Sequence, residues 1–204
     1  SKGIKVTKLG CDITAKGEDV FIGNTNLNGH NLVVDGDITS YENVNLQGGK
    51  CEISGNLYLT GGTLNLNGNI LTVHGNIRQT KGVLYVNGGK LTVDGDYGIY
   101  RTQKNSTTGD TEIIYTDGYL QMVKAADSVT VGGNLTVCID EDTSRYLTAG
   151  TLVLKGNFRQ ILDARYAYGS SGFCATGTHT TILAGEGTQE LSFDSSVSGF
   201  NELK

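Results

Sequence analysis

The chain has 204 residues, a net charge of −5 and a pI near 5.1. Its 30 glycines are about twice the usual share, while proline and tryptophan are absent and charged residues make up only 18%. These values exclude a collagen-like chain, a proline-rich linker and a basic nucleic-acid surface, and no apolar run reaches the ~18–20 residues of a membrane helix.

The first ten residues, SKGIKVTKLG, are neither a signal peptide nor a start at Met, so the reading expects a processed piece of a longer chain. From there a repeat sets in. A glycine followed by Asp or Asn recurs at Gly36, Gly55, Gly75, Gly95, Gly133 and Gly156. The spacing is close to 20 residues, apart from one step of 38 that suggests two periods with a missing mark. Four residues before each glycine stand Leu32, Cys51, Leu71, Leu91, Val129 and Leu152. Two before stand Val34, Ile53, Val73, Val93, Val131 and Leu154, and two after stand Ile38, Leu57, Ile77, Tyr97, Leu135 and Phe158. Apolar residues at every second position mark half-buried strands. A second alternating pair follows in each unit, as in Leu64 and Leu66 before Gly68.

A 20-residue unit of this kind cannot close a core by itself. Stacking equivalent strands ~4.8 Å apart buries all the inward columns together. The expected fold is therefore all-β: one domain over residues 1–204, a right-handed parallel β-helix (β-solenoid) of roughly eight rungs, estimated from the ~20-residue period.

Two stretches leave the pattern. Residues 98–118 read as an excursion, a candidate β-hairpin, and residues 161–178 as a second loop. Near the end, residues 179–185 and 189–193 are strand-like, and the chain stops without an obvious polar cap, so a continuation past Lys204 is expected. The four cysteines, Cys11, Cys51, Cys138 and Cys174, show no CxxC spacing and read as free, mostly buried thiols.

The runs GNLYLTGGTLNLNGN (55–69) and GGKLTVDGD (88–96) resemble the glycine-rich repeats of large bacterial secreted or cell-surface β-solenoid proteins, filamentous-haemagglutinin-like adhesins among them. The tail at 177–204 is similar to a repeat of long Gram-positive surface proteins. The resemblance implies a secreted or surface-exposed module for adhesion, display or carbohydrate contact, and carries no catalytic residues.

Four constellations bear on chemistry. The column Asp37, Asn56, Asn76, Asp96, Asn134, Asn157 reads as a corner ladder in preference to a calcium site, because the two Asp-Gly-Asp corners stand about 14 Å apart along the stack. Ser54, His74 and Asp94 form the chemical set of an acyl-transfer triad, but on an outer wall that offers no oxyanion hole. A polysaccharide lyase or hydrolase would need paired carboxylates, or a cation with a basic residue; Asp163 with Arg165 is the best local pair, and Asp110, Glu112 and Asp117 lie on the first excursion, but all read as solvated loop charges. Aromatics gather at the excursions: Tyr97, Tyr100, Tyr115 and Tyr119 in or beside the first, and Tyr166, Tyr168 and Phe173 in the second. A phenol ring has a flat apolar face and a hydroxyl, which suits stacking on sugars. Tyr100, Tyr115, Tyr119, Tyr166 and Tyr168 are thus the candidate ligand-binding residues, for a polysaccharide or a cell-surface glycan. No catalytic residue, metal ligand or cofactor is assigned, and neither nucleic acid nor membrane insertion is expected. The expected function is a non-catalytic adhesin, stalk or glycan-binding module; a β-helix lyase or hydrolase and a pure spacer or fibre segment are the alternatives.

Overall fold

The computed structural model describes residues 3–4, 7–163 and 172–204. It is a parallel β-solenoid of about nine turns with ~20-residue spacing, one turn more than the repeat count suggested. Successive turns build three stacks of parallel strands, the third of which continues past Gln121 only as isolated bridges. The first stack runs through Ile70–Val73, Lys90–Val93, Ser128–Val131, Thr151–Leu154 and Thr180–Leu183. The second holds Tyr97–Ile99, Leu135–Val137, Phe158–Gln160 and Leu191–Phe193 above the segment 77–79. The third passes through Val44–Asn45, 64–65, 83–85 and Tyr119–Gln121.

The inward columns lie in file. Val34 pairs with Ile53, Ile53 with Val73, Val73 with Val93, Val93 with Val131 and Val131 with Leu154. All six are at most 1% exposed. Burying such a side chain is worth about 1.5–3 kcal/mol, and a one-residue slip would turn the whole set outward. A carboxylate at Val73 would put an unpaired charge into the dry column, the kind of change a solenoid cannot absorb locally.

Two sequence devices close each turn. The Asn-Gly corners put both residues in the left-handed region, as at Asn67 (φ 48°) and Gly68 (φ 79°). Asn65 Oδ1 accepts the Asn67 N–H at 2.9 Å, and the Asn69 N–H closes onto the Leu66 carbonyl at 2.9 Å, so fully buried Leu66 points inward as the corner turns. The register glycines serve close stacking instead. A Cβ on Gly75 would lie 2.5 Å from the carbonyl oxygen of Gly55 one turn below.

The 38-residue step is one turn and not two, because Val93 pairs directly with Val131. The extra length is the first excursion. It is narrower than expected: Tyr97–Ile99 stays in its stack, and Arg101–Lys104 pairs antiparallel with Thr111–Ile114 as a hairpin. Strand 101–104 is exposed, whereas Thr116 is buried and its hydroxyl donates to the Thr80 carbonyl at 2.6 Å. Buried Asp127 then restores the turn by accepting the N–H groups of Gly88, Val123 and Lys124.

The second excursion also shrinks. Residues 164–171 lie outside the described residues, but Phe173 is 2% exposed and packs edge-on to Phe158 at 4.8 Å. Cys174 bridges Gly199, so this part belongs to the stack and does not protrude. A short 3-10 turn, Thr143–Arg145, capped by Asp142, was not foreseen. Of the four cysteines, Cys51 and Cys138 are buried, Cys11 is exposed and Cys174 is intermediate. No helix of the described residues is long and apolar enough to cross a membrane.

Candidate functional site

The residue three places after each register glycine points out of the second stack. In register these are Thr39, Tyr58, Arg78, Gly98, Thr136 and Arg159, followed by Ser192. Gly98 interrupts this column with a buried position that carries no side chain. Tyr100 folds back over it: a Cβ on Gly98 would lie 2.7 Å from the Tyr100 ring and 3.3 Å from the Arg78 guanidinium. The Arg78 guanidinium carbon sits 3.2 Å from the Tyr100 ring centroid. Burial holds the Arg78 guanidinium below its usual value, and the neighbouring Tyr100 works the other way. It remains a cation at neutral pH.

The facing wall is the corner ladder. The N–H groups of Asn56, Asn76, Asp96, Asn134, Asn157 and Glu190 each donate to the side-chain oxygen of the residue one turn below, at 2.6–2.9 Å. The ladder is therefore structural, as the repeat implied. Each carboxylate or amide completes a backbone group that a narrow corner would otherwise leave open.

Between ladder and column runs an open groove in two compartments. One, of about 320 Å³, is lined by Asn56, Tyr58, Asn76, Arg78, Asp96, Gly98, Tyr100 and Thr136. The other, of about 430 Å³, is lined by Asn134, Thr136, Asn157, Arg159, Glu190 and Ser192. Thr136 borders both, and the two lie in succession along the solenoid axis, together called the trough.

The sequence-predicted tyrosines do not gather in one place. Tyr100 borders the trough. Tyr115 stays at the hairpin base, its N–H donating to Asp163 Oδ2 at 3.3 Å and its carbonyl accepting from Arg101 Nε at 3.0 Å. Tyr119 lies on the third stack, its ring parallel to Tyr146 at 4.1 Å, and its phenol is pushed up to about 12 by burial and by that neighbour. Tyr166 and Tyr168 lie outside the described residues. Tyr97, grouped with the excursion from the sequence, is a core residue with no exposed surface. Sequence reasoning missed Tyr58, Arg78 and Arg159. Their signal was the outward column of the same repeat whose inward columns gave the fold.

The other constellations resolve as follows. Ser54 Oγ donates to Asp35 Oδ1 at 3.4 Å and accepts the Gly36 N–H at 2.8 Å. His74 turns instead to Asp94 at 2.7 Å and Glu52 at 3.2 Å, which raises its pKa, the Asp94 bond foremost. Ser54 and His74 thus serve separate pairs on an exposed wall. Asp163 is buried under its bond to Tyr115, Glu112 accepts from Asn105, and Asp117 faces Lys81 at 3.9 Å. Arg165 lies outside the described residues. None of these carboxylates lines the trough. No group of three or more His, Cys, Asp or Glu among the described residues is arranged to hold a metal ion.

No protein-family model, curated protein or solved structure matches the chain.

Proposed function

We propose that this chain is a non-catalytic, glycan-binding module of a secreted or cell-surface protein, acting as a rigid rod with a lateral binding trough. One observation carries the reading: Tyr58 and Tyr100, the latter packed over Gly98, line an open groove beside Arg78 and a wall of amides. Tyr58 is 36% exposed and lines the groove, which suits an aromatic ring for contact with a pyranose. Apolar ring faces with convergent amide and hydroxyl groups are the chemistry sugar recognition requires. The trough is open and follows the axis, which suits an extended polymer.

Affinity electrophoresis through gels containing a panel of plant, bacterial and animal polysaccharides tests this reading. Retardation by at least one polymer, lost in Tyr58→Ala while thermal unfolding is unchanged, supports it. Equal mobility in every gel for wild type and variant refutes it.

The structural-spacer reading is favoured by a different observation, the uninterrupted corner ladder and core column from one turn to the next. It predicts no retention by any glycan and lengthening assemblies in light scattering as concentration rises.

A further inference from the structure

Resting on the glycan-binding reading, we propose that the trough selects linear polysaccharides bearing carboxylates, uronate polymers, laid parallel to the solenoid axis with carboxylates on Arg78 and Arg159. The register supplies the geometry. Tyr58, Arg78, Gly98, Thr136, Arg159 and Ser192 are paired in succession, so the trough spans five strand steps, about 24 Å. Arg78 and Arg159 stand three steps apart, about 14 Å, on the same outward column.

Both arginines lack a carboxylate partner among the described residues. In a chain with net charge −5, two guanidinium groups on one outward column, neither ion-paired among the described residues although Asp96 and Glu190 line the opposite wall, point to an anionic ligand. Guanidinium groups match a carboxylate with two parallel N–H···O bonds. The Tyr100 ring beneath Arg78 fixes that fork before the ligand arrives, which lowers the ordering cost of binding.

The opposite wall sets the orientation. Asp96 and Glu190 line the ladder side, where a polymer carboxylate would be repelled. The acidic groups must therefore face the strand column and the sugar hydroxyls must face the amides. Tyr58 at one end of the trough stacks on a ring face without selecting charge.

The test uses polygalacturonate, the same polymer after reduction of its carboxyl groups, and heparin as a sulfate arm, measured by calorimetry on the whole chain. Polygalacturonate should bind about tenfold or more tighter than its reduced form. Arg78→Gln and Arg159→Gln should each weaken polygalacturonate about tenfold and leave the reduced polymer nearly unaffected. Circular dichroism melting confirms that the variants fold. Equal binding of the two polymers, or full affinity in the Arg78→Gln/Arg159→Gln double variant, overturns carboxylate selection and leaves the glycan-binding reading intact. Tighter binding of heparin than of polygalacturonate assigns the arginines to sulfate and overturns the proposal. If none of the three polymers binds, the proposal falls; the wider polysaccharide panel judges the parent reading separately.

Discussion

Tyr97 Oη donates to Gln79 Oε1 across 2.6 Å, one turn below it, and both side chains are completely buried. Gln79 Nε2 in turn donates to the carbonyls of Gly82 at 2.7 Å and Tyr119 at 3.0 Å. The pair lets a polar amide stand in an aliphatic file because every hydrogen-bonding group finds a partner. Tyr97→Phe should cost about 1–3 kcal/mol, since it leaves the amide oxygen unpaired. Gln79→Leu should cost at least as much, because it also strands two carbonyls. The double variant should lose less than the sum of the singles in urea unfolding; strict additivity would show that the bond is not the coupling.

The corner ladder makes a graded prediction. Asn76 Oδ1 accepts the Asp96 N–H at 2.8 Å. Asn76→Ala removes that acceptor and should destabilise the rod by about 1 kcal/mol. Asn76→Asp keeps it and should stay closer to wild type. Equal urea midpoints for the two variants would contradict a ladder held by side-chain acceptors.

Two histidines give opposite pH dependences. His74 is held above its usual pKa by Asp94 and then Glu52. Its contribution is therefore complete below pH 6.5 and is lost as pH rises through the folded value. Because its side chain is 45% exposed, the effect should stay under about 1 kcal/mol. His179 has no exposed surface and no hydrogen-bond partner for its ring nitrogens among the described residues, and burial pushes it down to about 4 from 6.5. Its neutral form is the stable one, so stability is complete above pH 6.5 and falls by about 3 kcal/mol as pH drops to 4. Unfolding at a series of pH values should show the acid loss shrink in His179→Leu and persist in His74→Gln.

Thiol labelling should separate the cysteines. Burial pushes the Cys51 thiol up to about 12, whereas Cys11 is exposed. Iodoacetamide at neutral pH should modify Cys11 first, with Cys51 and Cys138 protected until urea unfolds the chain. Rapid alkylation of Cys51 in the native protein would contradict its place between Leu32 and Leu71.

Gly98 tests the trough directly. An alanine there meets the movable Tyr100 ring and the Arg78 side-chain tip, not backbone. Gly98→Ala should therefore change the melting temperature little and weaken glycan retention by displacing the stacked pair. A large loss of stability would mean that the glycine serves packing alone.

The fold was legible because its signal recurs. Val34, Ile53, Val73 and Val93 repeat at intervals of 19 or 20 residues, and a period that persists through several turns leaves few alternatives. The trough was harder to read. Its arginines and tyrosines occupy an outward column where side chains vary from turn to turn, and Tyr100 reaches it only because Gly98 leaves room. The hairpin tyrosines misled for a related reason. Proximity in sequence to Tyr100 did not keep Tyr119 on the same stack, because the chain turns a corner between them. Tyr97 looked like a loop aromatic, but its place in the inward file, two after Gly95, already assigned it to the interior.

The hairpin at 101–114 leaves and rejoins within a single turn, since Val93 still meets Val131. A coil of 38 residues thus takes up the same axial height as one of 20. Sideways reach and overall span are independent quantities in this architecture. Side branches can be exchanged, lengthened or trimmed by grafting while the distance between the two extremities of the rod stays fixed.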